Sequence, residues 1–305
     1  MKKIVVTGAT SMIGVATINE AIKNNVEVLA IIRKDSKKID RLPKSNLIKF
    51  LECDLDKFDT IDSVDDDYDV FYHFAWGNTD KNTRNDPVLQ QKNIKYALDA
   101  VNLAKKLGCK KYIGAGSQAE YGRVEGKLNA STPINPDIAY GMAKYAAGRL
   151  TNLRCKELNI EHIWVRILSV YGINDGPNTM ISYAIKELLA GKEPEFTKCE
   201  QKWDYLFSED AGRAFYFIGD RGKANKTYCL GSGLARPLSD YVKTINKLLN
   251  KPENTGIGKK EYALNQVMHL EADISELTAD TGFKPTISFE DGLKRTIDYI
   301  IASMK

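Results

Sequence analysis

Three residues have types and spacings that can move a proton: Ser117, opening the run Ser117-Gln-Ala-Glu-Tyr-Gly122, and Tyr140 with Lys144 in Tyr140-Gly-Met-Ala-Lys144. Met142, Ala143, Tyr145, Ala146, Ala147 and Leu150 predict a helix from 140 to about 158, which puts Tyr140 and Lys144 one turn apart on one face. An ammonium near a phenol favours the phenolate and lowers a tyrosine pKa from about 10 toward working pH, making it a general acid or base. The Ser117 hydroxyl would hydrogen-bond the same substrate oxygen.

A framework must hold these groups. Ile4-Val-Val6, the turn Thr7 to Gly14 and the helical pattern of Ala16, Ile18, Ala21 and Ile22 predict strand, tight turn and helix, with Val26 to Ile32 as a second, fully buried strand. Strands at 47–51, 70–74, 111–114 and 162–167 alternate with helices at 87–107 and 140–158. Such alternation means an α/β fold with a doubly wound parallel sheet of Rossmann type. The expected division is a dinucleotide-binding domain over residues 1–172, rejoined by 209–225, and a smaller C-terminal substrate-binding lobe over 173–305 whose last helix, from Phe289, packs back on the main domain.

Composition excludes several function classes. The chain has 305 residues, 44 basic against 40 acidic, for a net charge of +4. So small and mixed a charge gives no reason to expect nucleic acid as a partner. Five scattered cysteines, none as Cys-x-x-Cys, read as reduced and mostly buried, and three distant histidines predict no metal site. The N-terminal apolar run is short, which suits a strand rather than a signal peptide, and no run approaches the ~20 apolar residues of a membrane span. No membrane association is expected, and the cytoplasm is the expected compartment.

Gly8 and Gly14 frame a strand-to-helix turn where backbone N–H groups and the helix dipole can hold a pyrophosphate, with Thr10, Ser11, Met12 and Ile13 between them. Ser11 occupies the middle position usual for glycine, and its hydroxyl is expected to reach phosphate. At the end of the second strand, where Asp or Glu usually binds a free ribose 2′-hydroxyl, the chain has Arg33, then Lys34, Lys37 and Lys38. Arginine can bind a 2′-phosphate bidentately, so NADP(H) is expected, with NAD(H) the alternative if Asp35 reaches the ribose. Asp54 and Leu55 would flank adenine. Phe74 and Ala75 would lie along the pyrophosphate and nicotinamide ribose.

Together these residues resemble the extended short-chain dehydrogenase/reductases of the NAD-dependent epimerase/dehydratase group, which act on nucleotide sugars. The resemblance spans nearly the whole chain. It rests on Thr7-Gly-x-x-x-x-x-Gly14, Asp54-Leu55, His73-Phe-Ala75, Ser117 with Tyr121-Gly122, Tyr140-x-x-x-Lys144, Arg166 with Val170-Tyr-Gly172, Asp204-Tyr-Leu-Phe-Ser-Glu-Asp210-Ala and Gly282-Phe-Lys-Pro285. It implies that Tyr140 is the acid/base for a sugar hydroxyl or ketone, that Lys144 binds the nicotinamide ribose and lowers the tyrosine pKa, and that Ser117 is the hydroxyl partner.

Departures narrow the chemistry. Dehydratases of the group carry an Asp-Glu pair after the hydroxyl residue, whereas this chain has Gln118 and Ala119; Glu120 is displaced by one and on a strand would face away. Many epimerases place an Arg before the Asp-Tyr that follows the substrate loop, and here Trp203 stands there, with Lys202 and Arg236 the nearest cations. Trp76, Arg84, Gln118, Asn178, Trp203 and Arg236 form the expected substrate-binding set, with Asn93 and His269 as further candidates. The resemblance thus implies an NADP(H)-dependent reductase of a nucleotide-diphosphate 4-keto-6-deoxyhexose, with a 4-epimerase as the alternative and a non-catalytic NADP(H) sensor as a third reading. It also implies a homodimer through the helices at 87–107 and 140–158, to which Tyr96, Ala97, Ala100 and Val101 would contribute unless they face the sheet.

Overall fold

The apolar run KIVVT forms β1 (Lys3–Thr7), whose side chains alternate between two cores: Ile4 and Val6 face one, Val5 the other. The computed structural model describes residues 1–62, 67–264 and 266–304. After β1 come α1 (Met12–Lys23), β2 (Glu27–Ile32), β3 (Ile48–Glu52), β4 (Val70–His73), α2 (Pro87–Lys106), β5 (Lys111–Ser117), β6 (Lys127–Leu128), α3 (Ala139–Glu157) and β7 (Glu161–Ile167). Then follow β8 (Ser169–Tyr171), α4 (Met180–Leu189), β9 (Lys202–Trp203), β10 (Tyr205–Phe207), α5 (Ser208–Arg221), β11 (Thr227–Leu230), β12 (Arg236–Pro237), α6 (Leu238–Leu248), β13 (His269–Ala272), α7 (Ser275–Thr281) and α8 (Phe289–Ser303).

Seven parallel strands form one sheet in the order β11-β7-β5-β4-β1-β2-β3, a doubly wound arrangement whose order reverses beside β1. Helices α1 and α5 pack together on one face, α2 and α3 on the other. The carboxyl ends of β1, β4 and β5 therefore open on a common edge.

Helix α2 starts where Asp86 accepts from the N–H groups of Val88 (2.9 Å) and Leu89 (3.0 Å), with Pro87 in the first turn. Helix α3 has no side-chain cap of its own. Its first N–H, at Ala139, is taken instead by Asn85 Oδ1 at 2.9 Å, so the loop before α2 is tied to the start of α3. A glycine lets the start of α3 lie close to the turn that follows β5: a Cβ on Gly141 would stand 2.2 Å from the Ala119 carbonyl oxygen.

Two placements depart from expectation, and a third takes the alternative left open for it. Thr227–Leu230 pairs with β7 as the edge strand of the main sheet, and Leu277 and Phe283 enter the main core, so the chain's return extends beyond residue 225. TYCL is buried beyond its first residue, as a sheet strand requires. Helix α8 does not pack back on the main core; Phe289, Leu293, Ile297 and Ile300 join Ile181, Ile185, Tyr241 and Ile245 in a second core with α4 and α6. Finally Ala97, Ala100 and Val101 point inward and are fully buried, because that face of α2 covers the sheet and α3.

Candidate active site

The turn between β1 and α1 requires glycine at position 8. Its φ is +66°, and a Cβ there would meet the Ala75 backbone nitrogen at 2.7 Å. Ser11 caps α1: its Oγ accepts from Gly14 N–H at 3.1 Å, which uses an oxygen lone pair and leaves the hydroxyl proton to donate elsewhere. Gly8, Thr10, Ser11, Arg33, Lys38, Leu55, Phe74 and Ala75 line a groove of about 440 Å³ along the sheet edge. Met12 and Ile13 border the adjoining cavity. Asp35 is exposed, has a φ of +54° and stays off the groove; Asp54 is likewise exposed at the start of a short 3-10 turn, and Cys53 stands with Leu55 in its place. A glycine-walled turn at a helix start, an apolar slot and two cations at the β2 end fit a phosphate-bearing dinucleotide.

The groove runs into a cavity of about 740 Å³ lined by Ser117, Gln118, Tyr140 and Lys144 together with Trp76, Arg84 and Trp203. Strand β5 carries Ser117 at its end and α3 carries Tyr140 in its first turn, so the two hydroxyls meet in a hydrogen bond. Lys144 is buried. Its Nζ donates to the Ala115 carbonyl at 2.6 Å and lies 3.7 Å from the Trp76 ring centroid. The Trp76 indole is itself fixed, donating to Gln90 Oε1 at 3.0 Å.

Burial dominates the electrostatics of the cluster. Burial raises the Tyr140 phenol above its ordinary pKa, opposed by the Arg84 cation and by the Ser117 hydrogen bond. Lys144 is 5.8 Å from the phenol ring, and burial, with Arg84 nearby, lowers its own pKa to about 7 despite Glu120. The lysine is thus only partly charged near neutrality. His73 accompanies Lys144 but burial pushes it down to about 3, leaving a neutral imidazole bonded to Thr7 Oγ1 at 2.9 Å.

Glu120 does face away from the cavity, although residues 118–120 form a 3-10 turn rather than a strand. Its carboxylate accepts from Ser117 N–H (2.8 Å), Trp164 Nε1 (2.9 Å) and Arg166 Nε (2.9 Å), all buried. Gln118 reaches the cavity; Asn178 and Arg236 do not. Asn178 is exposed on the loop before α4, and Arg236 pairs with Glu290 at 3.0 Å. Asn93 is occupied by the backbone of Gly77 (2.7 and 3.1 Å), and His269 Nδ1 by Gly126 N–H (3.0 Å). Trp203 donates to Ser169 Oγ at 2.7 Å, which presents one edge of the indole to the cavity rim. Sequence reasoning missed Asp175, Ser169 and Tyr205, which line the same cavity. Burial pushes the Asp175 carboxyl up to about 6, against hydrogen bonds from Thr179 Oγ1 (2.8 Å) and Gly176 N–H (2.6 Å).

A family model described as the NAD dependent epimerase/dehydratase family matches residues 4–231. The chain belongs to the NAD-dependent epimerase/dehydratase family. Like the family's other members it is an enzyme, and the Ser117, Tyr140 and Lys144 cluster is its candidate catalytic centre. It is similar to a dTDP-glucose 4,6-dehydratase of Salmonella typhimurium, 24% identical over 99% of this chain and 93% of that one. Likeness to a dTDP-4-dehydro-6-deoxyglucose reductase of Escherichia coli is 27% over 63% and 62% of the two chains. In fold it matches the UDP-glucuronic acid 4-epimerase of Bacillus cereus, solved with UDP-glucuronic acid and NAD, at a TM-score of 0.84, 22% identity and 99% coverage of both chains.

Proposed function

We propose that the enzyme reduces the 4-ketone of a nucleotide-diphosphate 4-keto-6-deoxyhexose with NADPH. The observation that carries this reading is the fate of the dehydratase position: Gln118 and Ala119 have no acid, and Glu120 is spent on Arg166 and Trp164. That leaves Tyr140, bonded to Ser117, as the proton donor of the centre. A bound dinucleotide supplies the hydride. Ser117 holds the ketone oxygen, Tyr140 protonates it as negative charge develops there, and Lys144 holds the ribose. Gln118, Trp76, Arg84 and Trp203 line the sugar end. Preference for the 2′-phosphate is supported by Arg33 and Lys38 in the lining of the groove, from which Asp35 is absent.

A 4-epimerase is the second reading, favoured by full-length likeness in fold to a 4-epimerase that binds NAD. Stoichiometry separates them. With dTDP-, UDP- and GDP-linked 4-keto-6-deoxyhexoses, a reductase oxidises one NADPH per product formed; turnover without net oxidation supports the epimerase. We also propose a cytoplasmic homodimer joined through α2 and α3. Exposed Val88, Met142, Leu150 and Leu153 support that face, and among the described residues no helix is long and apolar enough to cross a membrane.

A further inference from the structure

Trp76 stands where the dinucleotide groove meets the substrate cavity and lines both. Its ring is tightly held. The indole Nε1 donates to Gln90 Oε1 at 3.0 Å, and the Asn93 amide bonds the N–H (2.7 Å) and the carbonyl (3.1 Å) of the next residue, Gly77. Gln90 Nε2 donates in turn to the Asn78 carbonyl at 2.7 Å. The indole packs against Ala97, Ala147 and Trp164, and its plane meets that of the Tyr140 ring at 80°, with the centroids 6.1 Å apart. Residues of α2 and α3 thus fix the ring beside Lys144, whose Nζ lies 3.7 Å from its centroid.

Burial leaves this ammonium few partners. It has three N–H donors, one of which goes to the Ala115 carbonyl at 2.6 Å. Where water would otherwise solvate it stands the negative face of an indole, the most favourable aromatic ring for a cation. We propose that Trp76 is a positioning residue of the catalytic centre, its indole face holding the Lys144 side chain in place and in the cationic form in which it serves the nicotinamide ribose and the Tyr140 phenol. That support matters because much of the surroundings opposes the charge. Burial and the Arg84 cation bring the lysine down to about 7, and Glu120 works against them. The other groups about the ammonium add little: His73, on β4, is neutral, the Tyr140 ring centroid is 5.8 Å away, and Asp175 shares the cavity. A desolvated cation gains far more from an aromatic face than an exposed one, so the contact with Trp76 is placed where it counts. The inference rests on the reading of Tyr140 and Lys144 as the catalytic pair, but its test needs no substrate.

That test is a pH titration of Lys144 by carbon-13 NMR of protein labelled at lysine Cε, with Lys144→Arg assigning the signal. Tryptophan bearing one, two or three ring fluorines is incorporated in turn, which weakens the negative face of the indole at nearly constant size. The Lys144 midpoint should fall with each added fluorine, by about one pH unit over the series, about tenfold in the ionisation constant. In Trp76→Phe, where only Trp164 and Trp203 carry fluorine, the midpoint should stay the same along the series. The fluorine signals of those two residues report whether each sample is folded. A midpoint within about 0.3 units across the wild-type series, or an equal fall in Trp76→Phe, overturns the proposal. Failure of the catalytic reading would appear separately, as unchanged turnover in Tyr140→Phe, whatever the titration gives.

Discussion

Tyr140 is raised by burial and lowered by its neighbours, so its environment, more than its intrinsic acidity, decides how it handles a proton. Tyr140→Phe removes the proton while leaving the ring against Trp76 and Arg84. Turnover should fall by about 10²–10⁴-fold with dinucleotide binding retained, measured as kcat beside a binding titration. Asp175 supplies a second test at this scale. Its folded pKa, about 6, lies above the ~3.9 of an unfolded aspartate, so the native state takes up a proton as pH falls. The stabilisation is fully present below the unfolded value and lost as pH rises through 6. Asp175→Asn should therefore have the higher Tm at pH 7.5, with a gap that holds down to about pH 6.5 and narrows below about pH 6; a gap independent of pH down to about pH 4 would show that the carboxyl is not so shifted. The candidate catalytic set was legible because the Tyr140 and Lys144 spacing stands within a series of ordered motifs along the chain; the spacing alone is common in helices. Asp175 was not, since its place in the cavity depends on how the loop before α4 folds.

At the scale of elements, the site hangs on the junction of β5, the 3-10 turn at 118–120 and α3. Glu120 locks this junction: its side chain is 1% exposed and that of Arg166 7%. Removing one partner of a buried ion pair strands the other, which costs about 3–5 kcal/mol. Glu120→Ala should lose stability of that order in urea unfolding, whereas loss of turnover without loss of stability would point to Glu120 as an acid/base. Most of the elements could be read from periodicity. Strand β5 runs past its expected end at Gly114 to Ser117, in register with β7, although Gly-Ala-Gly is poor strand sequence. The reason is long-range: the indole of Trp164 covers Gly114 and Gly116, leaving no room for larger side chains. The same limit hid the 3-10 turn, whose capping box needs Ser117 and Glu120 to bond each other's backbone.

For the whole molecule, alternating strands and helices were enough to specify the doubly wound sheet, but the chain's later course was not. Short segments such as TYCL carry no periodicity of their own, and β11 joins the main sheet only because β7 offers an open edge. Helix α8 is amphipathic enough to be recognised, while its partner surface, α4 and α6 rather than the main core, is a tertiary choice. The outer faces of α2 and α3 bear on assembly. With Val88, Met142, Leu150 and Leu153 exposed there, sedimentation should show a dimer that Leu150→Glu with Leu153→Glu converts to folded monomer. A monomeric wild type would remove this face as the interface.

The most direct measurement is the dissociation constant of the protein for NADPH and for NADH, by fluorescence titration at one fixed salt concentration, with Arg33→Ala alongside. A charge-assisted contact to the 2′-phosphate contributes about 1.5–3 kcal/mol, so NADPH should bind at least about tenfold more tightly and lose that advantage in Arg33→Ala. Equal affinities, or tighter NADH binding unaffected by Arg33→Ala, would contradict the NADPH-dependent reductase and leave the 4-epimerase as the reading to pursue.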